Sequence, residues 1–458
     1  MVVEYIVAVA ILAVYAWLIY FAVKGGNMTF GFFFVGVVWT AICAIAWKTG
    51  ILTPGFLEAN QDIAGMSVMN MINSVFQDGI RNQGLQTVDI ITGTFFGAVL
   101  METGVSAALI RKTVELGGDK PLVVMILLDI VVAALFTSIF GIGAVIALGI
   151  IVLPILFSLG VPKVIACISY LFAVAAGNYL NPVLNASSFT TYSKVGDTQY
   201  YFYQDWASSF GYFAAPVATI FVVIMTIVLM KASGKKTAKA WAAPVEEAEG
   251  QKKDPPGIAL IMPFMPTLTI LIFKTQNIPT FIFWGIVTLA ICGYCKGLNM
   301  TAASYSKCMY NAVIESAGLI VFLLMLACIT KTINLAKPFI SLILDPIIPK
   351  NAPMILVIAV MVLAPLALFR GPLTMYGTAG PIFLILVAMG YSYGFLFPLL
   401  FVPSISMNMA ACPTQSYVAW GISYAGIETK DYIKKSIPWG WIFTVVMEVL
   451  VIFTCLNR

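Results

Sequence analysis

The chain of 458 residues contains no histidine. That absence removes His-based catalytic triads, His-ligated zinc or haem, and imidazole proton relays, so any proton carrier must be a carboxylate, Lys, Tyr or Cys. Charge is scarce as well. Asp, Glu, Lys and Arg make up 10% of the residues, whereas soluble domains run near roughly 25% because their surface must be wetted. A disulfide framework is missing too, since the eight cysteines fall mostly inside apolar runs. Cys292 and Cys295 have the spacing of a redox or zinc pair, but no second pair or His completes it, and packing of small residues between helices is the simpler reading. There is no Walker A loop: Gly234-Lys235-Lys236 lacks the preceding glycines and lies in a polar stretch, so ATP-driven transport by this chain alone is not expected. The N-terminus lacks a basic leader and carries Glu4 instead, which reads as a retained first helix.

What the sequence has is apolar surface. Hydrophobic residues make up 61% of the chain, and its mean hydropathy is +0.97. A span needs about 20 apolar residues to cross about 30 Å of hydrocarbon, so this length supplies roughly ten. The expected fold class is an all-α polytopic membrane protein, its apolar surface solvated by membrane lipid. The net charge of +5 does not imply a nucleic-acid partner, because Lys and Arg cluster at expected membrane edges rather than on one basic face.

Apolar runs and their punctuation predict spans near 5–23, 29–47, 87–110, 164–195 and 208–230, with a pair of shorter arms at 121–139 and 142–160. A charged, alanine-containing linker at 231–256 follows, ending in Asp254-Pro255-Pro256. The pattern then starts again, with spans near 257–274, 279–295, 312–333, 391–422 and 438–456 and a second pair of arms at 353–368 and 372–390. Several residues recur at nearly constant separation. Phe140 and Pro154-Ile155 return as Phe369 and Pro381-Ile382, Tyr192 and Gly196 as Tyr417 and Gly421, and Asp205-Trp206 ahead of Pro216 as Asp431-Tyr432 ahead of Pro438. The expected organisation is therefore two repeats, 1–230 and 257–458, each of about five crossings, one of them a broken helix (about 164–195 and 391–422), plus one re-entrant hairpin (about 121–160 and 353–390). Five crossings invert the second copy. Lys24, Arg111, Lys112, Lys120, Lys163, the linker, Lys296, Lys307, Lys430, Lys434 and Lys435 then share one side, cytoplasmic by the positive-inside rule, while Lys48, Arg81, Lys331, Lys337 and Lys350 dissent.

Backbone at membrane depth is helical unless protein or water lines a break, so breaks point to function. One polar, Pro-interrupted stretch carries Asn178, Asn181, Asn185, Ser187 and Ser188; its counterpart carries Ser406, Asn408, Thr414 and Gln415. Such paired interruptions are candidate substrate contacts between inverted repeats, with hydrogen bonding between helices as the competing role. The hairpin tips add Ser138, Gly141 and Gly143 in the first half and Arg370, Gly371 and Thr374 in the second. Glycines there admit a ligand close to backbone, and N–H groups at a half-helix start attract anions. An Arg at membrane depth costs on the order of 3 kcal/mol, and its planar fork matches a carboxylate, so Arg370 is either an anion anchor or the partner of a buried acid such as Glu315 or Asp129. Glu102, Asp129 and Glu315 are the candidate proton-coupling carboxylates. No metal or other cofactor is expected.

The run Phe96-Gly97-Ala98-Val99-Leu100-Met101-Glu102-Thr103-Gly104, the paired hairpins and the Asp-aromatic then Pro opening of the last helix in each half resemble the ion transporter superfamily. Within it, the gluconate permease and citrate-proton symporter groups look nearest. The divalent-anion/sodium symporters carry Ser-Asn-Thr at their tips, where this chain has Ser138-Ile139-Phe140 and Leu368-Phe369-Arg370. The resemblance implies a homodimer in which a part bearing hairpins and broken helices moves as an elevator against a stationary scaffold. The expected function is secondary active transport of a small organic anion, a sugar acid or a di- or tricarboxylate, across a plasma or inner membrane. The expected coupling ion is H+, with Na+ as the alternative. A gated anion channel is the competing reading, separated by its need for a continuous polar path. The chain is not expected to be an enzyme.

Overall fold

The computed structural model describes residues 2–24, 26–81, 84–118, 120–185, 199–234, 254–295, 297–344, 346 and 352–456. Among these every regular element is helical, and the chain is an all-α polytopic membrane protein. Six helices are long and apolar enough to cross a membrane, or seven if one bent pair counts as a span. Six shorter apolar helices of 10–17 residues accompany them, so the ten crossings expected from hydropathy include segments too short to span alone.

Helices Val2–Val23 and Met28–Lys48 pack on each other and on a long helix, Leu298–Leu344. Buried Trp39 donates to the Ile11 carbonyl at 3.0 Å and Trp47 to that of Leu335 at 3.2 Å, so each indole N–H is satisfied away from water. Glu4 accepts from both the N–H and the hydroxyl of Thr53 at 2.7 Å, which pins the chain leaving the second helix. The long helix exceeds its expected extent of 312–333. Residues 298–311 are polar but contain no Gly or Pro, so the helix continues, and its 47 residues reach about 70 Å. The span expected at 87–110 is also different. It bends by 60° between Glu102 and Val105, where Gly104 takes φ +73° and Thr103 bonds back to the Val99 carbonyl. The end of the Phe96–Gly104 run is therefore a helix corner.

The first hairpin comprises Pro121–Leu135 and Ile142–Ser158; the second comprises Pro353–Leu363, continued by a 3-10 turn Ala364–Arg370, and Ala379–Ala388. The second returns later than expected, because Gly371, Pro372 and Gly377 keep 371–378 in turns. Each hairpin is followed by a broken helix. Lys163–Asn178 is buried along nearly its whole length, and Tyr393–Pro403 passes into a π-helical stretch, Ser404–Met409, before the chain resumes at Ser416–Ala425. Closing helices Tyr212–Ala232 and Thr429–Cys455 pack on each other through stacked Phe221 and Phe443, 4.6 Å apart. Tyr179, Phe401 and Phe443 meet edge to face between the two halves, so the core lies where the broken helices cross. Most of the linker at 231–256, Ser187, Ser188, Tyr192 and Gly196 lie outside the described residues.

Gly177 shows how tightly the first broken helix seats. A Cβ there would collide with the Ala133 carbonyl oxygen and with Phe136, and a backbone neighbour cannot swing aside. Gly177→Ala is therefore expected to cost about 3 kcal/mol, the upper end of overpacking penalties. Thermal unfolding of the purified variant checks this; an unchanged midpoint would show that the two elements can part.

Candidate functional site

Freed carbonyls at both breaks accept from aromatic and hydroxyl donors, on Gln199–Trp206 ahead of the first closing helix and on the first turns of the second. In the first half Tyr203 donates to the Leu180 carbonyl at 2.8 Å and Trp206 to that of Tyr179 at 3.3 Å. In the second, Tyr432 donates to Ala410 at 2.6 Å and Ser436 to Ala411 at 3.3 Å. This meets the requirement that non-helical backbone at membrane depth be buried in protein. The Asp-aromatic signature opening each closing helix thus includes donors that serve the breaks.

Between the breaks, the hairpin tips and the long helix lies a cavity of about 490 Å3, within the roughly 300–1,000 Å3 of small-molecule sites. The first tip contributes Phe140, Gly141 and Ile142; the second contributes Arg370 and Tyr376. Asn178 and Leu184 come from the first break, and Met409, Gln415, Ser416 and Tyr417 from the second. The long helix supplies Glu315, Ser316 and Phe322. Glu315 and Phe322, seven residues apart, share one helix face, so one tip meets an acid and the other an aromatic ring.

Arg370 is half-buried. Its Nη1 donates to the Tyr376 carbonyl at 3.0 Å, its Nη2 reaches Gln415 Oε1 at 3.5 Å, and its guanidinium lies 5.2 Å from the centre of the Phe322 ring. A guanidinium has five N–H donors, so donor capacity is left over. The second tip is strained: Phe369 and Arg370 both have positive φ, +55° and +58°, at a cost of order 1–3 kcal/mol each. Two helix N-termini open beside Arg370, Ile142–Ser158 behind Gly141 and Ser416–Ala425 behind Gln415. Gly141 has φ +112°, which a side chain would resist, and this lets the chain turn straight into the helix. The first turns of two helices and one guanidinium therefore line a single space, an arrangement that favours an anion.

The chain shares its fold with a solved transporter. It is similar to the YdaH transporter of Alcanivorax borkumensis, whose crystal structure is described as revealing an unusual topology; identity is 12% and the TM-score 0.58, covering 92% of this chain and 97% of that one. No family model matches the chain, and no curated protein matches it significantly.

Of the residues singled out from sequence, Gly141, Asn178, Arg370, Gln415 and Glu315 line the cavity. Gly143 lies just inside, where a Cβ would strike the Glu315 carboxylate. The others are engaged elsewhere. Ser138 pairs with Thr267 at 2.6 Å, Ser406 with Thr444 at 2.5 Å, and Thr414 with Cys412 at 3.0 Å. Asn181 donates to the Phe136 and Ile139 carbonyls, both at 2.9 Å, and its Oδ1 accepts from the N–H groups of Val183 and Leu184. Asn408 makes the matching contact in the second half, donating to Ala367 at 3.2 Å, so both amides clamp a hairpin tip to a break. Asn185 bonds the Asn181 carbonyl at 2.8 Å. Gly371 sits in a turn where a Cβ would meet the Leu366 carbonyl, and Thr374 is buried one turn on.

The three candidate acids separate. Glu102 ends its helix in an ion pair with Lys307 at 3.0 Å, partly exposed; such a pair is worth up to about 1 kcal/mol. Asp129 is buried away from the cavity, accepting from Ser169 at 2.5 Å and Thr226 at 2.7 Å. Only Glu315 of the three faces the cavity. Sequence reading missed Thr94, which lines the space and whose buried hydroxyl has no hydrogen-bond partner among the described residues, and Phe322, close to the guanidinium. Both sit in ordinary apolar helix text with no break to mark them. It also missed Glu448, an acid deep in the terminal helix.

Proposed function

We propose that the protein is a secondary active transporter that moves a small organic carboxylate together with a proton, working as a homodimer by elevator-type alternating access in a plasma or inner membrane. The observation that carries this reading is the convergence of Arg370 with helix N-termini from both halves in one cavity. The ion transporter superfamily resemblance and the shared fold with the YdaH transporter support it. Glu315 supplies a physical route to coupling. An ionised Glu315 repels an anion in the same cavity, and protonation removes that repulsion, so anion and proton each favour binding of the other. A sodium ion beside Glu315 would do the same electrostatic work and is the alternative.

The test is thermal unfolding of purified protein with citrate, succinate or gluconate, at mildly acidic and mildly alkaline pH, with and without sodium. A ligand bound only by the native state adds about 2.7 kcal/mol at 100 times its Kd. One of these anions is expected to raise the midpoint more at acidic pH, and an imposed proton gradient is expected to drive its uptake into proteoliposomes. Stabilisation that requires sodium at either pH would replace the proton by sodium; no stabilisation by any carboxylate would overturn the reading.

A further inference from the structure

Glu448 lies in the terminal helix with no exposed surface, and among the described residues neither carboxyl oxygen has a hydrogen-bond partner. The buried acid of the first half is treated differently, since Asp129 accepts from both Ser169 and Thr226. Thr226 and Glu448 occupy equivalent places, each ten residues past the proline of its closing helix, Pro216 or Pro438. The second half therefore carries its acid on the closing helix itself and gives it no hydroxyl.

The surroundings connect Glu448 to the moving parts of the proposed cycle. One turn earlier on the same face, Thr444 bonds Ser406 of the π-helical break. Tyr179, at the end of the first broken helix, packs edge to face on Phe443 of the terminal helix and donates to Val402 at 3.4 Å. Elements packed on the terminal helix also carry Lys163, Cys167, Tyr170, Tyr212, Lys231, Arg370 and Tyr393, and none of these hydrogen-bonds Glu448. Burial without a hydrogen bond penalises the charged form, so the neutral acid is the form this packing accommodates. It can release its proton only when the packing around it opens. The segments that cover it lead into Asn178 and Met409 of the cavity, so a shift of the second break changes both places at once.

We propose that Glu448 is a second proton-binding site, loaded in this conformation and unloaded as the second broken helix moves. Its coupling role rests on the transport reading; its protonation does not. The direct test is infrared spectroscopy of the protein in lipid nanodiscs, wild type against Glu448→Gln, which keeps shape and neutrality, with Glu448→Leu as a second reference. The difference spectrum is expected to show a carboxylic-acid C=O band at neutral pH that shifts in D2O and disappears as pH is raised on folded protein. A carboxylate band at neutral pH, or an acid band that neither exchanges nor titrates before unfolding, would overturn the site. In proteoliposomes, with whichever of citrate, succinate and gluconate is taken up, Glu448→Gln is expected to move one proton fewer per substrate. An unchanged ratio overturns the coupling role. Failure of all three anions to be taken up counts against the transport reading, and the infrared result still decides the site.

Discussion

Replacing Arg370 by alanine is expected to abolish saturable uptake of the proposed carboxylate and to remove the ligand-dependent rise in unfolding temperature, while folded protein stays in the membrane. The fold does not depend on the guanidinium: its hydrogen bonds are one to a carbonyl of its own tip and one long contact to Gln415, both beside the cavity. Removing a half-buried cation also removes its desolvation cost, so stability changes little. Binding loses far more. Two charge-assisted hydrogen bonds to a carboxylate, at about 1.5–3 kcal/mol each, amount to at least about 3 kcal/mol, or more than about a hundredfold in affinity. Arg370→Lys recovers little, because the ammonium keeps the charge but loses the planar fork and the broad stacking on Phe322. Normal saturable uptake by Arg370→Ala would remove Arg370 from the anion site and leave the two helix N-termini as the remaining attraction.

The fold class was legible because composition alone forces it, and the turns near 136–141 and 371–378 were legible because Gly, Pro and Arg interrupt otherwise apolar text. Arg370 stood out for the same reason, being expensive wherever it sat. The bend at Gly104 and the extension of the long helix were not legible. Hydropathy scores burial in lipid and is indifferent to whether a helix turns a corner or continues into water. The polar breaks were found but their roles were only partly readable. Asn178 and Gln415 reach the cavity, whereas Asn181, Ser406 and Asn408 serve the backbone or a neighbouring helix. Nothing in a polar residue's position along a break says whether its partner is a ligand or a carbonyl; that depends on which hairpin packs opposite. Thr94 and Phe322 lie on helices without interruptions, and their part in the cavity comes only from tertiary packing.

Asn181 offers the sharpest separation of those two roles. Its side chain makes four hydrogen bonds, all to main chain: two from Nδ2 to Phe136 and Ile139 at the first hairpin tip, and two to Oδ1 from Val183 and Leu184 at the start of the next turn. All lie out of reach of water. Asn181→Ala takes this partner from four buried backbone groups; for those of Phe136, Ile139 and Val183 alone, at about 1–3 kcal/mol each, the loss is about 3 kcal/mol or more, against a total stability of roughly 5–15 kcal/mol for folded proteins. The expected result is little folded protein in size-exclusion chromatography and a much lower unfolding midpoint. Asn181→Asp does no better, because it keeps the cap on Val183 and Leu184 but turns an oxygen toward the Phe136 and Ile139 carbonyls. Asn408→Ala is the internal comparison: its amide makes one 3.2 Å bond, to Ala367, and its loss is expected to cost about 1 kcal/mol. An Asn181→Ala protein that melts like wild type but binds its carboxylate more weakly would return Asn181 to the substrate and show that the clamp at the first tip opens during transport.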